Sequence, residues 1–115
     1  MDEKILKSLY DIKLAIEEMD NFFLKEEKTF SNYQKNILLR RAIERNLEII
    51  GEATNRILKG NPDFEIKNAK RIIGLRNQII HSYDNISDEN IWSIVINHIP
   101  SLKNEVETKI NNSAL

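Results

Sequence analysis

"LRNQIIHSYDN", residues 75–85, decides how the whole chain is read. Wound at 3.6 residues per turn, it collects its apolar side chains on one side, with an arginine in their midst. With Arg76 set at zero degrees, Ala69, Ile72, Ile73, Ile79, Ile80 and Tyr83 all fall within about 60° of it. Asn77 and His81 lie together on the flank, one turn apart. The helical period is clear, so the stretch predicts a helix, and the charge at its centre is the anomaly to explain.

An arginine cannot relieve its burial by losing its proton. Inside an apolar stripe it needs a carboxylate, a phosphate or a watery cleft between subunits. A glutamate of the preceding helix, Glu48 or Glu52, is the carboxylate reading. A phosphate clamp stiffened by the surrounding isoleucines is the functional one. His98, just before Pro100, reads as a histidine that favours the C-terminal end of a helix dipole. His81 differs because Asn77 shares its flank and can orient its ring, and because Arg76 is close.

Working outward, the same period recurs along the chain. Asp2 caps a first helix to about Leu24, with Ile5, Leu6, Leu9, Ile12, Ile16, Met19 and Phe23 on its apolar face. After the charged connection "KEEKTF", Ser31 is expected to cap a long second helix to about Lys59. Its inward side takes Tyr33, Ile37, Leu38, Ala42, Ile43, Leu47, Ile50, Ala53 and Ile57. Gly51 inside it allows a bend or a close helix contact, and Gly60 with "GNPD" makes a turn. A third helix is expected from about Phe64 to Tyr83. Ser87 caps a fourth, to about His98, that carries Ile91, Trp92, Val95 and Ile99, and Pro100 breaks it. Residues 101–111 form a short last helix, with residues 110–115 as a fraying tail. No strand pattern, repeat or low-complexity segment appears. The expected fold is all-α: one domain over residues 1–115, an antiparallel bundle of four to five helices.

Composition agrees. The 115 residues include only three glycines and two prolines, and no cysteine, so disulfides and thiolate metal sites are excluded. Two histidines argue against zinc. No apolar run approaches the roughly 18 residues of a membrane span, and the acidic start does not read as a signal peptide. A cytoplasmic protein without membrane contact is expected. The net charge is −1, but residues 35–76 carry ten Lys/Arg against five acids, a local +5, while the remainder carries −6. The middle of the chain therefore reads either as solvated helix faces of mixed charge or as a phosphate-binding surface.

Arginine and histidine without metal ligands point to one chemistry above others. RNA supplies its own nucleophile, the 2′-hydroxyl. A protein then needs only to move protons and to neutralise charge on the phosphorane. Histidine as a residue type titrates near pH 6.5, which suits the first task. Geometry sets a condition, since on an ideal helix Arg76 and His81 point about 140° apart. Either the helix loosens near His81, or the site is completed across a dimer two-fold.

"RNQIIHSY" resembles the HEPN superfamily and, within it, the HepT-like toxins, whose signature is Arg, four residues, His, one residue, Tyr. Arg76, His81 and Tyr83 stand at those positions, and Asn77 follows the arginine as it commonly does. "RRAIERNLEIIGEA" (40–53) is similar to the family's second-helix segment, and "IIGLRNQIIHSYDNISDENIWSIVINHIPSLKNEV" (72–106) to its second half. Ala69 stands where the family often has tryptophan, and Ser82 where it often has glycine between His and Tyr. Neither removes a chemical group.

The resemblance implies a HEPN-like homodimer that cleaves RNA without metal or cofactor, a toxin paired with a nucleotidyltransferase antitoxin in a larger heteromeric complex. The antitoxin would silence it by transferring AMP to the motif tyrosine, Tyr83. Arg76 would bind phosphate, His81 act as general acid or base, and Asn77 orient or contact substrate. Glu52, by charge pairing, would buttress Arg76. The competing class is a non-catalytic interaction module that partners a nucleotidyltransferase or binds nucleotide.

Overall fold

Short-range chemistry starts most of the helices. The Asp2 carboxylate accepts the Lys4 backbone N–H at 2.7 Å and opens α1, Glu3–Asn21. The Thr29 hydroxyl accepts from Asn32 at 3.2 Å and opens α2, Phe30–Lys35. Asn36 then accepts from Leu39 at 3.0 Å and opens α3, Ile37–Gly60. Each such cap is worth about 1 kcal/mol, because it satisfies an N–H that the first helical turn leaves without a partner. The computed structural model describes residues 1–81 and 86–113.

The single helix expected from Ser31 to Lys59 is therefore two, capped by Thr29 and Asn36 in place of Ser31. Asn36 is extended, at φ −105° and ψ 100°, because its side chain offers the backbone an alternative partner. The break resets the helical phase. Ile37 and Leu38, expected inside, are 60% and 83% exposed. Phe30 and Tyr33 turn instead toward Trp92, whose ring lies 5.3 Å from that of Tyr33. Tyr33 is fully buried, and burial, aided by the Asp88 and Glu44 carboxylates, pushes its phenol well above the ordinary range.

After α3 the chain turns through 61–68, and α4 covers Ala69–His81, five residues shorter at its start than expected. Asn61 makes an Asx turn to Asp63, and Asn68 sits in the left-handed region at φ 63°, which asparagine tolerates. Ser87 caps α5, Asp88–Asn97, accepting from Asn90 at 3.1 Å as expected. α5 ends within one residue of the expected His98, and the chain past that break is again helical. Pro100 occupies the first turn of α6, Ile99–Ser113, where its missing N–H forfeits nothing. The described residues thus hold six helices and no strand, one helix more than the expected maximum. No described helix is long and apolar enough to cross a membrane. Ala114 and Leu115 lie outside the described residues.

The core lies between α1, α3 and α6. Leu9, Ile12 and Ile16 of α1 meet Ile43, Ile50 and Ile57 of α3, and Val106 of α6 closes the layer. The α1–α3 pair is antiparallel, since Arg56 meets Asp11 at 3.0 Å while Asn46 reaches Ala15. Buried Asn46 fixes that register by donating to the Ala15 carbonyl at 2.9 Å and to Glu18 Oε1 at 3.0 Å. α5 packs on α6 and α2, and α4 packs chiefly on α3. Ile79 is the one α4 residue that is buried.

Candidate active site

Arg76 lies on the face of α4 that meets α3, as the period predicts. What receives it is a gap in α3. Gly51 stands opposite, and a side chain there would run into Arg76 Cβ, come within 2.9 Å of Arg76 Cγ and within 3.2 Å of the Ile72 carbonyl oxygen. The arginine stem therefore lies against bare helix backbone. Its Nη1 donates to Asn77 Oδ1 at 2.9 Å, and its Nε is buried without an acceptor among the described residues. A charged donor left so is costly, which marks the position as one not chosen for stability alone.

The expected buttress from Glu52 is not formed. Glu52 Oε1 lies 3.7 Å from Arg45 and Glu48 Oε2 lies 3.1 Å from the same guanidinium. The reason is local: Arg45, Glu48 and Glu52 recur at three- and four-residue spacing along one stripe of α3, so Arg45 reaches both carboxylates from their own helix. Neither glutamate pairs with Arg76 among the described residues. The charge of Arg76 is thus left to Asn77 and to whatever anion approaches.

Asn77 Oδ1 accepts from Arg76, and no hydrogen bond joins Asn77 to His81 among the described residues. His81 is exposed in the last turn of α4. The helix stays α-helical through His81, so loosening before that residue does not bring the two side chains together. On α4 they diverge by about 140°. Tyr83 lies outside the described residues, as do Ser82, Asp84 and Asn85. Among the described residues no three His, Asp or Glu side chains gather as a metal would require.

On the opposite flank of α4 a groove of about 570 Å³ opens toward α5 and α6, with Leu47, Ile50, Leu75, Arg71 and His98 on its walls. His98 is the C-cap residue of α5, its backbone N–H donating to the Ile94 carbonyl oxygen at 2.9 Å.

The comparison that bears on this geometry is a family model. The description Ribonuclease HepT-like matches residues 12–108, which take in all of α3 and α4. The chain belongs to the HepT-like family. A protein of Methanocaldococcus jannaschii named a putative RNase is 37% identical over 103 residues, covering 86% of this chain and 90% of the relative. Another so named, from Caldanaerobacter subterraneus subsp. tengcongensis, is 35% identical over 83 residues, covering 69% and 71%. A protein of Thermococcus cleftensis named a probable ribonuclease HepT is 32% identical over 103 residues, covering 86% and 89%. No solved structure gives a significant match. Within this HepT-like chain, sequence reasoning singles out Arg76 and His81 as candidates but misses the pairing of Arg45 with Glu48 and Glu52. The spacing of Arg45 to the two glutamates was the available signal.

Proposed function

We propose that this chain is a metal-independent endoribonuclease toxin, silenced by a nucleotidyltransferase antitoxin. The observation that carries the reading is Arg76, seated on Gly51 and held by Asn77, with no carboxylate paired to it among the described residues and an exposed His81 five residues on, in a chain of a ribonuclease family. The 2′-hydroxyl oxygen attacks the adjacent phosphorus as His81 or its symmetry mate takes the hydroxyl proton. Arg76 neutralises the extra charge on the phosphorane oxygens. The P–O5′ bond breaks, and the leaving 5′-oxygen receives a proton. The products are a 2′,3′-cyclic phosphate and a 5′-hydroxyl. The test is RNA cleavage by the purified chain in excess EDTA, with those termini identified. Intact RNA, or ends of another kind, refutes it.

A helical α4 sets Arg76 and His81 apart, which favours a site composed from two protomers related by a two-fold, each presenting its own copy of residues 76–81. Light scattering at micromolar concentration is then expected to give about twice the chain mass of 13.5 kDa. A monomer with full activity refutes the composite site.

Silencing is assigned to Tyr83. An AMP group there brings a phosphate anion to the charge that RNA needs, and adds bulk beside it. Of the other tyrosines, Tyr33 is fully buried, whereas Tyr10 is 43% exposed and serves as the internal comparison. A cognate nucleotidyltransferase with ATP is expected to add AMP to the wild-type chain and stop cleavage. Tyr83→Phe is expected to retain cleavage within about twofold, as the phenol takes no part in the proton transfers, and to escape modification. Intact-mass and peptide mapping decide it, and an adduct on Tyr10 overturns the assignment.

A further inference from the structure

Glycine is the poorest ordinary residue for a helix interior, yet Gly51 lies near the middle of the 24-residue α3. Gly74 inside α4 and Gly60 at the end of α3 have open space where a side chain would go. Gly51 does not. The atoms it admits are Arg76 Cβ and Cγ and the Ile72 carbonyl oxygen. None is the far end of a flexible chain: two are the root of a side chain and one is backbone. A methyl group at position 51 must therefore lift α4 from α3 or swing the whole arginine.

We infer that Gly51 is the positioning residue for Arg76, setting the depth and direction at which its guanidinium is presented. The inference rests on the reading of Arg76 as the phosphate-binding group. Three constraints act in series along one side chain. Cβ and Cγ lie on the bare backbone of α3, Nε is enclosed, and Nη1 is held by Asn77 at 2.9 Å. The first fixes where the other two can occur, and removing it leaves the long arginine with several rotamers where it now has one. Among the described residues α4 packs chiefly on α3, so a shift at this contact meets little support from another helix.

The test compares Gly51→Ala with Gly74→Ala. Helix propensity alone raises the thermal midpoint in both. The inference expects the midpoint of Gly51→Ala to fall and that of Gly74→Ala to rise. It expects kcat of Gly51→Ala to drop about 10- to 100-fold, as for a reacting group misplaced by about 1 Å, with KM changed less than about threefold. It also expects a slowly exchanging Arg76 Nε–H signal in the wild-type NMR spectrum, assigned by its loss in Arg76→Met, kept in Gly74→Ala and lost or displaced in Gly51→Ala. An unmoved Nε–H signal, or an undiminished kcat beside a displaced signal, overturns the inference. Should Gly51→Ala not fold, the wild-type spectrum decides: slow exchange supports the enclosure of Nε, and exchange at the solvent rate overturns it. If the wild-type chain cleaves no RNA, the ribonuclease reading fails by itself, and the Nε–H and thermal results still decide the packing of Arg76 on Gly51.

Discussion

His81→Ala is expected to lower the cleavage rate by roughly 10²–10⁴, equivalent to about 3–5 kcal/mol of lost transition-state stabilisation. The size follows from what the reaction lacks without it. Both the attacking 2′-hydroxyl and the leaving 5′-oxygen must exchange protons with something, and at neutral pH water does so poorly. No other described histidine is placed to replace it, because His98 lies on the far flank of α4 at the end of α5. His98→Ala is accordingly expected to cleave at the wild-type rate. His81 is exposed at a helix end, so its removal opens no cavity, and the thermal midpoint should move by no more than a degree or two. Single-turnover cleavage of a labelled RNA measures the rate. Full activity in His81→Ala, or equal losses in the two variants, removes His81 from the mechanism.

Arg76→Met is expected to reduce cleavage by about 10²–10³, the range for losing one group that stabilises developing oxyanion charge. Methionine is the informative replacement because it keeps the stem that packs on Gly51 and deletes the charge. Arg76→Ala removes both and confounds packing with chemistry. Stability should hold or rise in Arg76→Met, since a buried Nε–H without an acceptor among the described residues is replaced by apolar surface. Arg76→Lys retains a cation but loses the planar fork and the Asn77 geometry, so it should recover only a small part of the loss. Loss of activity together with higher thermal stability would identify an arginine kept for function. Undiminished cleavage by Arg76→Met would show that its charge serves no reacting phosphate.

The sequence announced what depends on near neighbours. Asp2 and Ser87 cap their helices because a cap needs only the next three residues. The inward series Ile43, Leu47, Ile50 and Ile57 follows from period alone. Asn36 was missed because good helix formers flank it on both sides, and the choice between continuing and restarting is settled by the aromatic contacts of Phe30 and Tyr33 with Trp92. Pro100 was read as a stop although a first-turn proline is equally a start. At the site, Arg76 and His81 were visible as residues, and the partner of the arginine was not. Charge pairing names Glu48 and Glu52 equally for Arg45 and Arg76. The spacing of Arg45 to Glu48 and Glu52 settles that pairing within α3, whereas the seat of Arg76 on Gly51 is a tertiary fact that no local spacing shows.

The one-sided packing of α4 divides the chain into units that open at different free energies. α1 packs on both α3 and α6, and residues of all three share one core, so loosening α1 exposes it on both sides. α4 buries one residue fully and leans chiefly on a single neighbour. It can detach by local unfolding while the rest of the bundle stays intact. Arg76 then leaves Gly51 without denaturation of the bundle, and returns to it when the helix docks. A partner that pressed α4 onto α3 would raise the fraction of molecules with a formed site, and one that bound the detached helix would lower it. The helix on which the proposed site depends is thereby also the part of the fold whose population other molecules can most easily change.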